Sequence, residues 1–411
     1  MAGHYTFCDN LTSLAPLIDL RPSSQLRTGA LSTSERFEQL LKSTCLATYD
    51  ASWPATHWPA ASTDFLALPQ PALAVNGRLA IPPPDLHLLS VGDYITEEGT
   101  GRFIAGVLPA ADNQSLADIA SGTGAGGCTR LVREEPAAHI LTRPWHIRAL
   151  RDKCLAIDLA LLIQRIPPAA PHPAVTVILK EGTAGLHVHP TARIYPATIF
   201  NCESGPIVID EHATVMPGAQ LIGPCYIGPH STILEIATIR PQTSVGPSCK
   251  VNGEVSGTIF QGFSNKAHDG FVGDSYLGEW VNLGAGTTTS NLLNTYGEIT
   301  ARQSAALGNE RTGLTFLGSI IGDHTKTAIC TRLMTGTIIH TGAMIASSAP
   351  ASGCIPPFAW ITDAGQRLYR LEKFLEVMRS AMQRRKCEPA ADLIHRIKVL
   401  HAAASGEDPR S

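Results

Sequence analysis

Charge is scarce in this sequence. Asp, Glu, Lys and Arg make up 16% of the 411 residues, and 32 basic side chains stand against 35 acidic ones for a formal net charge of -3. A chain without a basic excess cannot hold a polyanion by counterion release, so a dedicated DNA or RNA binder is excluded. No run reaches the roughly 18 consecutive apolar residues that span a bilayer, so no membrane association is expected. The opening MAGHYTFCDN lacks the basic-then-apolar pattern of a secretory leader, and the ten cysteines include no C-x-x-C pair. A reduced, cytoplasmic setting is therefore expected. Hydrophobic residues are plentiful at 44%, with 36 Gly and 29 Pro, which fits an ordered, turn-rich protein with much β structure and excludes a coiled coil or a disordered chain. At about 150 residues per domain the length allows two or three units.

From Ile209 an aliphatic residue recurs every sixth position: Ile209, Val215, Leu221, Ile227, Ile233, Ile239, Val245, Val251. Small residues follow four positions after the first seven (Ala213, Ala219, Cys225, Ser231, Ala237, Thr243, Cys249), and Pro or Gly follows at 217, 223, 229, 241, 247 and 253. On a helix a step of six turns the side chain by about 240°, which scatters the aliphatics around the cylinder; in extended chain six is even and they share one face. The pattern predicts a coil of short strands joined by turns, three hexads to a circuit, with aliphatics stacked inward. This is the left-handed parallel β-helix of hexapeptide-repeat proteins. The register extends back through Val188 and Ile194 and resumes at Ile321, Leu333, Ile339 and Ile345, with a break between about 284 and 320.

The expected organisation is mixed. Residues 1–142, with short apolar runs punctuated by Pro and Gly, read as an α/β domain. Residues 143–170 hold a linker helix with Ile147, Leu150, Leu155, Leu159 and Leu162 at helical spacing, stopped by PPAAPHP. The coil occupies 171–352. A helical tail fills 353–411, with Leu368, Leu371, Phe374, Leu375 and Met378 on one stripe and a basic last turn that suits the macrodipole.

Residues 264–298 concentrate polar side chains of catalytic types. There His268, Phe271, Gly273-Asp274, Leu277-Gly278, Val281-Asn282 and the run Gly284-Ala285-Gly286-Thr287 resemble the acetyltransferase half of the bifunctional N-acetylglucosamine-1-phosphate uridylyltransferase/glucosamine-1-phosphate acetyltransferase family. The phrases NKAHDGFVGDSYLGEWVNLGAGTTTSNLLNTYG and GDHTKTAICTRLMTGTII, with FCDN, LIDLRPSSQLRTGALSTSERFE, NGRLAIPPPDL and RPWHI upstream, look most like a shorter subfamily of sugar nucleotidyltransferases. The resemblance implies a degenerate nucleotidyltransferase-like α/β domain before the coil. It also implies a homotrimer, with acetyl-CoA bound between neighbouring coils as cosubstrate.

Acetyl transfer to an amine needs a base to take the proton of the attacking ammonium, and imidazole suits neutral pH. His268 is the candidate base, and Glu254 stands where the family has its orienting acid. By the same resemblance Arg240 grips the sugar phosphate, with Phe271 and Asn282 in the sugar-binding set. Asn291 holds the acyl-thioester side, and Gly284 and Ala285 let the cofactor approach the backbone. Departures matter too: the family's second phosphate lysine aligns with Ser256, its sugar-contacting tyrosine with Phe271, and Leu293 occupies the stretch where a loop lysine is missing. Lys266 and Lys326 are the cations at hand to compensate.

In the N-terminal half, LRTGALSTSERFE stands where nucleotidyltransferases carry a glycine-rich loop, with Arg21, Arg27 and Gly29, together with Asp9, as the nucleotide-binding candidates. One glycine is a poor phosphate cradle. Magnesium is called for only if this half is an active nucleotidyltransferase. GTGAGG at 122–127 has no Lys-Ser/Thr ending and reads as a loop. His187 and His189 alternate on one strand face, yet no Cys or carboxylate cluster nearby completes a metal site, and none is expected. Arg384, Arg385 and Lys386 are a basic patch suited to a cofactor phosphate or to solvent. The expected function is acetyl-CoA-dependent N-acetylation of an amino-sugar phosphate for nucleotide-sugar and cell-envelope precursor synthesis. The alternatives are nucleotidyl transfer in the N-terminal half or a non-catalytic sugar-nucleotide-binding scaffold.

Overall fold

The computed structural model describes residues 3–9, 14–50, 71–168, 173–182 and 184–406. Asn10 of the FCDN motif and residues 169–172 of PPAAPHP lie outside them. The chain forms two units: residues 1–14 with 21–146, and residues 15–20 with 147–411.

The first unit is built on strands β1 (Gly3–Cys8), β2 (Thr44–Asp50), β3 (Ala72–Asn76), β4 (Asp93–Glu97), β5 (Phe103–Leu108) and β6 (Arg130–Glu135). They form one mixed sheet in the order β2-β1-β3-β5-β4-β6. Because successive side chains alternate faces, Ala74 packs with Tyr5, Phe7 and Phe103 on one side, while Leu73 and Val75 pack with Phe37, Ile95 and Ile104 on the other. Helix α1 (Thr33–Leu41) opens with a capping box, Ser32 taking the Glu35 N–H and Glu35 the Ser32 N–H. Helix α2 (Asn113–Ser121) ends on Gly122 in the left-handed region, so the first glycine of GTGAGG is a helix stop and the rest is loop.

In the second unit helix α3 (His146–Leu162) buries all five of its expected apolar positions. The coil follows from Thr176. Three parallel sheets stack its strands, and the partners Ile209↔Ile227↔Val245 and Val215↔Ile233↔Val251 lie eighteen residues apart, three hexads to a circuit. Its core is the aliphatic column of the repeat: Ile209, Val215, Leu221, Ile227, Ile233 and Ile239 are fully buried. The circuit then contracts, with Ile239 facing Val255 and Val245 facing Phe260, so the six-residue period ends before the motif region begins. After strand Thr288–Thr289, which pairs in parallel with Arg332–Leu333, the chain leaves the coil in an excursion holding the short hairpin Thr300–Ala301/Glu310–Arg311, and it returns at Ile320–Ile321 against Tyr276–Leu277.

The coil does not end at 352. Strands Cys354–Ile355 and Ala359–Thr362 extend it, and Gly365–Leu368 turns back antiparallel, so Leu368 belongs to a closing strand and not to the helical stripe. Helices α4 (Leu371–Gln383) and α5 (Ala391–Ser405) then place Phe374, Leu375, Met378, Met382 and Ile397 in a cluster with Trp280, Phe358 and Tyr369. Arg385 bonds the Ser248 carbonyl and, at 2.8 Å, Asn265 Oδ1, so this part of the basic patch fastens the tail to the coil.

Candidate functional site

Turns of the coil stack into edges, and one edge carries the motif. Gly253, Gly270, Gly286 and Cys330 follow one another along it with positive φ. A Cβ on Gly270 would lie 2.3 Å from the Thr287 carbonyl oxygen, so the turn after His268 packs flat under the next circuit and demands glycine. His268 sits in this turn, between strands Asn265–Lys266 and Phe271–Gly273; it is exposed, and its ring makes no hydrogen bond to the described residues. Such an imidazole is free to meet a ligand.

On the six-stranded face beside that edge, Phe271 and Asn291 meet over Gly273. A Cβ there would lie 2.5 Å from the Phe271 ring and 2.8 Å from Asn291 Nδ2, so both groups occupy the space of an absent side chain. Asn291 Nδ2 donates to Asp274 Oδ2 at 2.8 Å. A carboxylate only accepts, which fixes the amide's orientation and leaves Asn291 Oδ1 as the acceptor it presents. Asp274 Oδ1 in turn takes Arg151 at 2.9 Å and pairs with Arg148 at 2.9 Å. Burial and the neighbouring Arg151 charge hold the Arg148 guanidinium below its usual range. The backbone adds to the lock: Leu317 N–H donates to the Asn291 carbonyl and Gly318 N–H to that of Asp274, closing the root of the excursion.

Asp274, Arg148 and Arg151 are the residues that sequence reasoning left without a role. Arg148 and Arg151 are three apart on α3, one helical face, but no local signal ties them to a carboxylate more than a hundred residues on.

Glu254 is a correction. Its carboxylate accepts from Arg240 Nε at 2.5 Å and makes no bond to His268. Glu254 opens strand Glu254–Ser256 and Arg240 follows directly on the adjacent strand Thr238–Ile239, with opposite charges on one outward face, and Arg240 spends its charge there as well. Asn282 is a second departure. It belongs to a different face of the coil, where its Oδ1 accepts from Asn265 at 3.3 Å, so within one chain it does not join Phe271 and Asn291. Gly284 is a third: a Cβ there would lie 2.4 Å from the Ala328 carbonyl oxygen, so the close approach it permits is that of the next circuit. Ala285 lies on the same edge, its carbonyl accepting the Cys330 N–H.

In the first unit Arg27 donates to the Ala30 carbonyl and pairs with Glu35 at 3.4 Å, which commits it to the turn before α1 that contains Gly29. Arg21 is buried and engaged within the structure. Asp9 is gripped by Arg78 at 2.7 and 2.6 Å and by Asn76 at 3.0 Å, with Glu97 on the far side of Arg78 at 3.1 Å. His187 is buried with each ring nitrogen within 2.9 Å of a backbone carbonyl oxygen, so the ring is taken up within the coil. Among the described residues no group of three or more His, Cys, Asp or Glu side chains is set to hold a metal, and no helix is long and apolar enough to cross a membrane.

Fold and sequence together define a class: a nucleotidyltransferase-like α/β unit followed by a left-handed parallel β-helix and a helical tail. A family profile described as sugar nucleotidyl transferase matches residues 8–166. The bifunctional protein GlmU of Corynebacterium glutamicum is 27% identical over 234 residues, 54% of this chain and 44% of that protein. GlmU of Rippkaea orientalis is 36% identical over 80 residues, 19% and 16% of the two chains, and that of Mycolicibacterium smegmatis 25% identical over 238 residues. The chain is similar over these segments to GlmU proteins and spans less than half the length of the curated relatives it matches. Among solved structures, a UDP-N-acetylglucosamine acyltransferase of Francisella novicida covers 57% of this chain at 14% identity and a TM-score of 0.25.

Proposed function

We propose that the coil half is an acetyl-CoA-dependent N-acetyltransferase acting on an amino-sugar phosphate of the glucosamine-1-phosphate type, in nucleotide-sugar synthesis. The observation that carries this reading is the His268 turn: an exposed imidazole without a partner among the described residues, on a coil edge, with Phe271, Gly273 and the oriented Asn291 amide on the adjoining face. His268 takes a proton from the substrate ammonium, and the freed amine attacks the thioester carbonyl. As the new C–N bond replaces the C–S bond the nitrogen sheds its second proton to solvent, and the CoA thiolate leaves with the proton held by His268. Asn291 Oδ1, an acceptor, is suited to hold an amine N–H in line. For the phosphate, Arg240 would exchange its Glu254 partner on the exposed face; Ser256, which stands where the family has a lysine, faces Gly273 across the sheet, and its carbonyl accepts the Asp274 N–H. Isothermal calorimetry with acetyl-CoA separates this enzyme from a sugar-nucleotide-binding scaffold, which has no reason to bind the thioester.

The working form in this reading is a cytoplasmic homotrimer. The motif edge exposes Ile236 and Ile329 by 78% and 73%, apolar area that a second copy would cover. Light scattering is expected to give about three times the 43.7 kDa chain mass; a monomer at micromolar concentration would contradict the trimer.

A second reading, nucleotidyl transfer in the N-terminal half, is favoured by the profile match to residues 8–166. The residues present do not fit the magnesium such chemistry uses. Asp9, the carboxylate at the end of β1, has both oxygens on Arg78, and Arg27 is committed to its own turn. With UTP, N-acetylglucosamine-1-phosphate and magnesium, no pyrophosphate release above background is expected, and release at enzymatic rates would restore this reading.

A further inference from the structure

One ionisable group in the coil stands where the repeat calls for an aliphatic. Lys266 pairs in register with Val251, itself paired with Ile233, and so occupies the inward column of the core; it is 1% exposed. No carboxylate pairs with it among the described residues. Burying an ammonium without a counter-ion is unfavourable, a cost that an aliphatic or methionine would not carry. Desolvation accordingly draws Lys266 down from its ordinary value to about 8, opposed by the charge of Asp269.

The ammonium is not idle. Its three donors go to three backbone carbonyls: Asn252 at 3.1 Å, Asp269 at 2.7 Å and His268 itself. The first belongs to the turn of the preceding circuit and the other two to the turn that carries the candidate base, so the lysine ties consecutive turns of one edge from inside. The turn packs closely around it: a Cβ on Gly253 would lie 2.6 Å from the Gly270 carbonyl oxygen and 2.9 Å from Nζ. His268 gains no orienting side chain, since Glu254 is bound to Arg240.

We propose that Lys266 is a positioning residue for His268, fixing the imidazole through the backbone of its turn in place of a carboxylate partner. The proposal rests on the acetyltransferase reading for its consequence in turnover, and on the coil geometry alone for its effect on the histidine. The test is Lys266→Met, close in length and without donors. Thermal stability should be unchanged or higher. The His268 imidazole signal, assigned in histidine-labelled protein by its loss in His268→Ala, should narrow and shift as the turn loosens. In acetyl transfer, kcat should fall by about 10- to 100-fold with KM for acetyl-CoA and sugar unchanged, the response to a misplaced base. A folded Met variant with the wild-type His268 signal and wild-type kcat would overturn the proposal. If the Met variant does not fold, Lys266→Leu, the kind of aliphatic the column carries elsewhere, removes the same donors, and the same signal is read. A wild-type protein without turnover would sink the acetyltransferase reading alone, because the imidazole signal does not depend on it.

Discussion

His268→Ala is expected to lower acetyl transfer by about 10²- to 10⁴-fold, the usual contribution of a positioned general base, while leaving the fold intact. The reason the fold survives is visible in the structure. The ring is exposed and bonds to no described residue, and the turn is held by backbone contacts: the Lys266 ammonium on the His268 and Asp269 carbonyls, and the Gly270 turn beneath Thr287. None of these uses the imidazole. The check is steady-state kinetics beside a thermal melt, and retained turnover or a collapsed melting transition would each contradict the assignment.

Asp274→Ala should do the opposite and act first on stability. The carboxylate is 8% exposed and is shared by Arg148, Arg151 and the Asn291 amide. Removing it leaves two guanidiniums crowded together, with Asp152 at 2.7 Å and the Gly257 carbonyl still on Arg151, and the half-buried Asn291 amide without its acceptor. Breaking a buried ion pair from one side costs about 3–5 kcal/mol, and this cluster should fall near the lower end because Asp152 stays. Denaturant titration monitored in the far ultraviolet reads the loss directly. A change below about 1 kcal/mol would show that solvent already screens the cluster. Activity should fall as well, because the Asn291 amide would be free to turn.

The coil was legible because its signal is periodic. A six-residue repeat sustained from Ile209 to Val251 allows one stacking, and the pairs eighteen residues apart follow from it. Legibility ended where the circuit contracted: once Val245 faces Phe260 and Val251 faces Lys266, counting by six no longer says which side chain points inward. For that reason Lys266 reads in sequence as a spare surface cation, when it stands in the core column. The strands after 352 escaped notice because two- to four-residue strands carry little periodicity of their own, and Leu368 fits a helical stripe by coincidence of spacing.

Site residues divided along a similar line. Phe271 and Asn291 meet over Gly273, and His268 lies in the turn that leads into Phe271. Asn282, close to them in sequence, is carried to another face, because a coil turns a corner every few residues and nearness along the chain does not keep side chains together. Glu254 was assigned by position, but a carboxylate beside an unopposed guanidinium on the next strand pairs with it. The Arg148–Asp274–Arg151 cluster joins α3 to the coil, and only the folded chain shows it.

The central claim is tested most directly by following free thiol release when the purified protein meets acetyl-CoA with and without glucosamine-1-phosphate. Release that requires the sugar and vanishes in His268→Ala is the predicted result. Sugar-independent release, or none with any amino-sugar phosphate in a panel of acceptors, would contradict it.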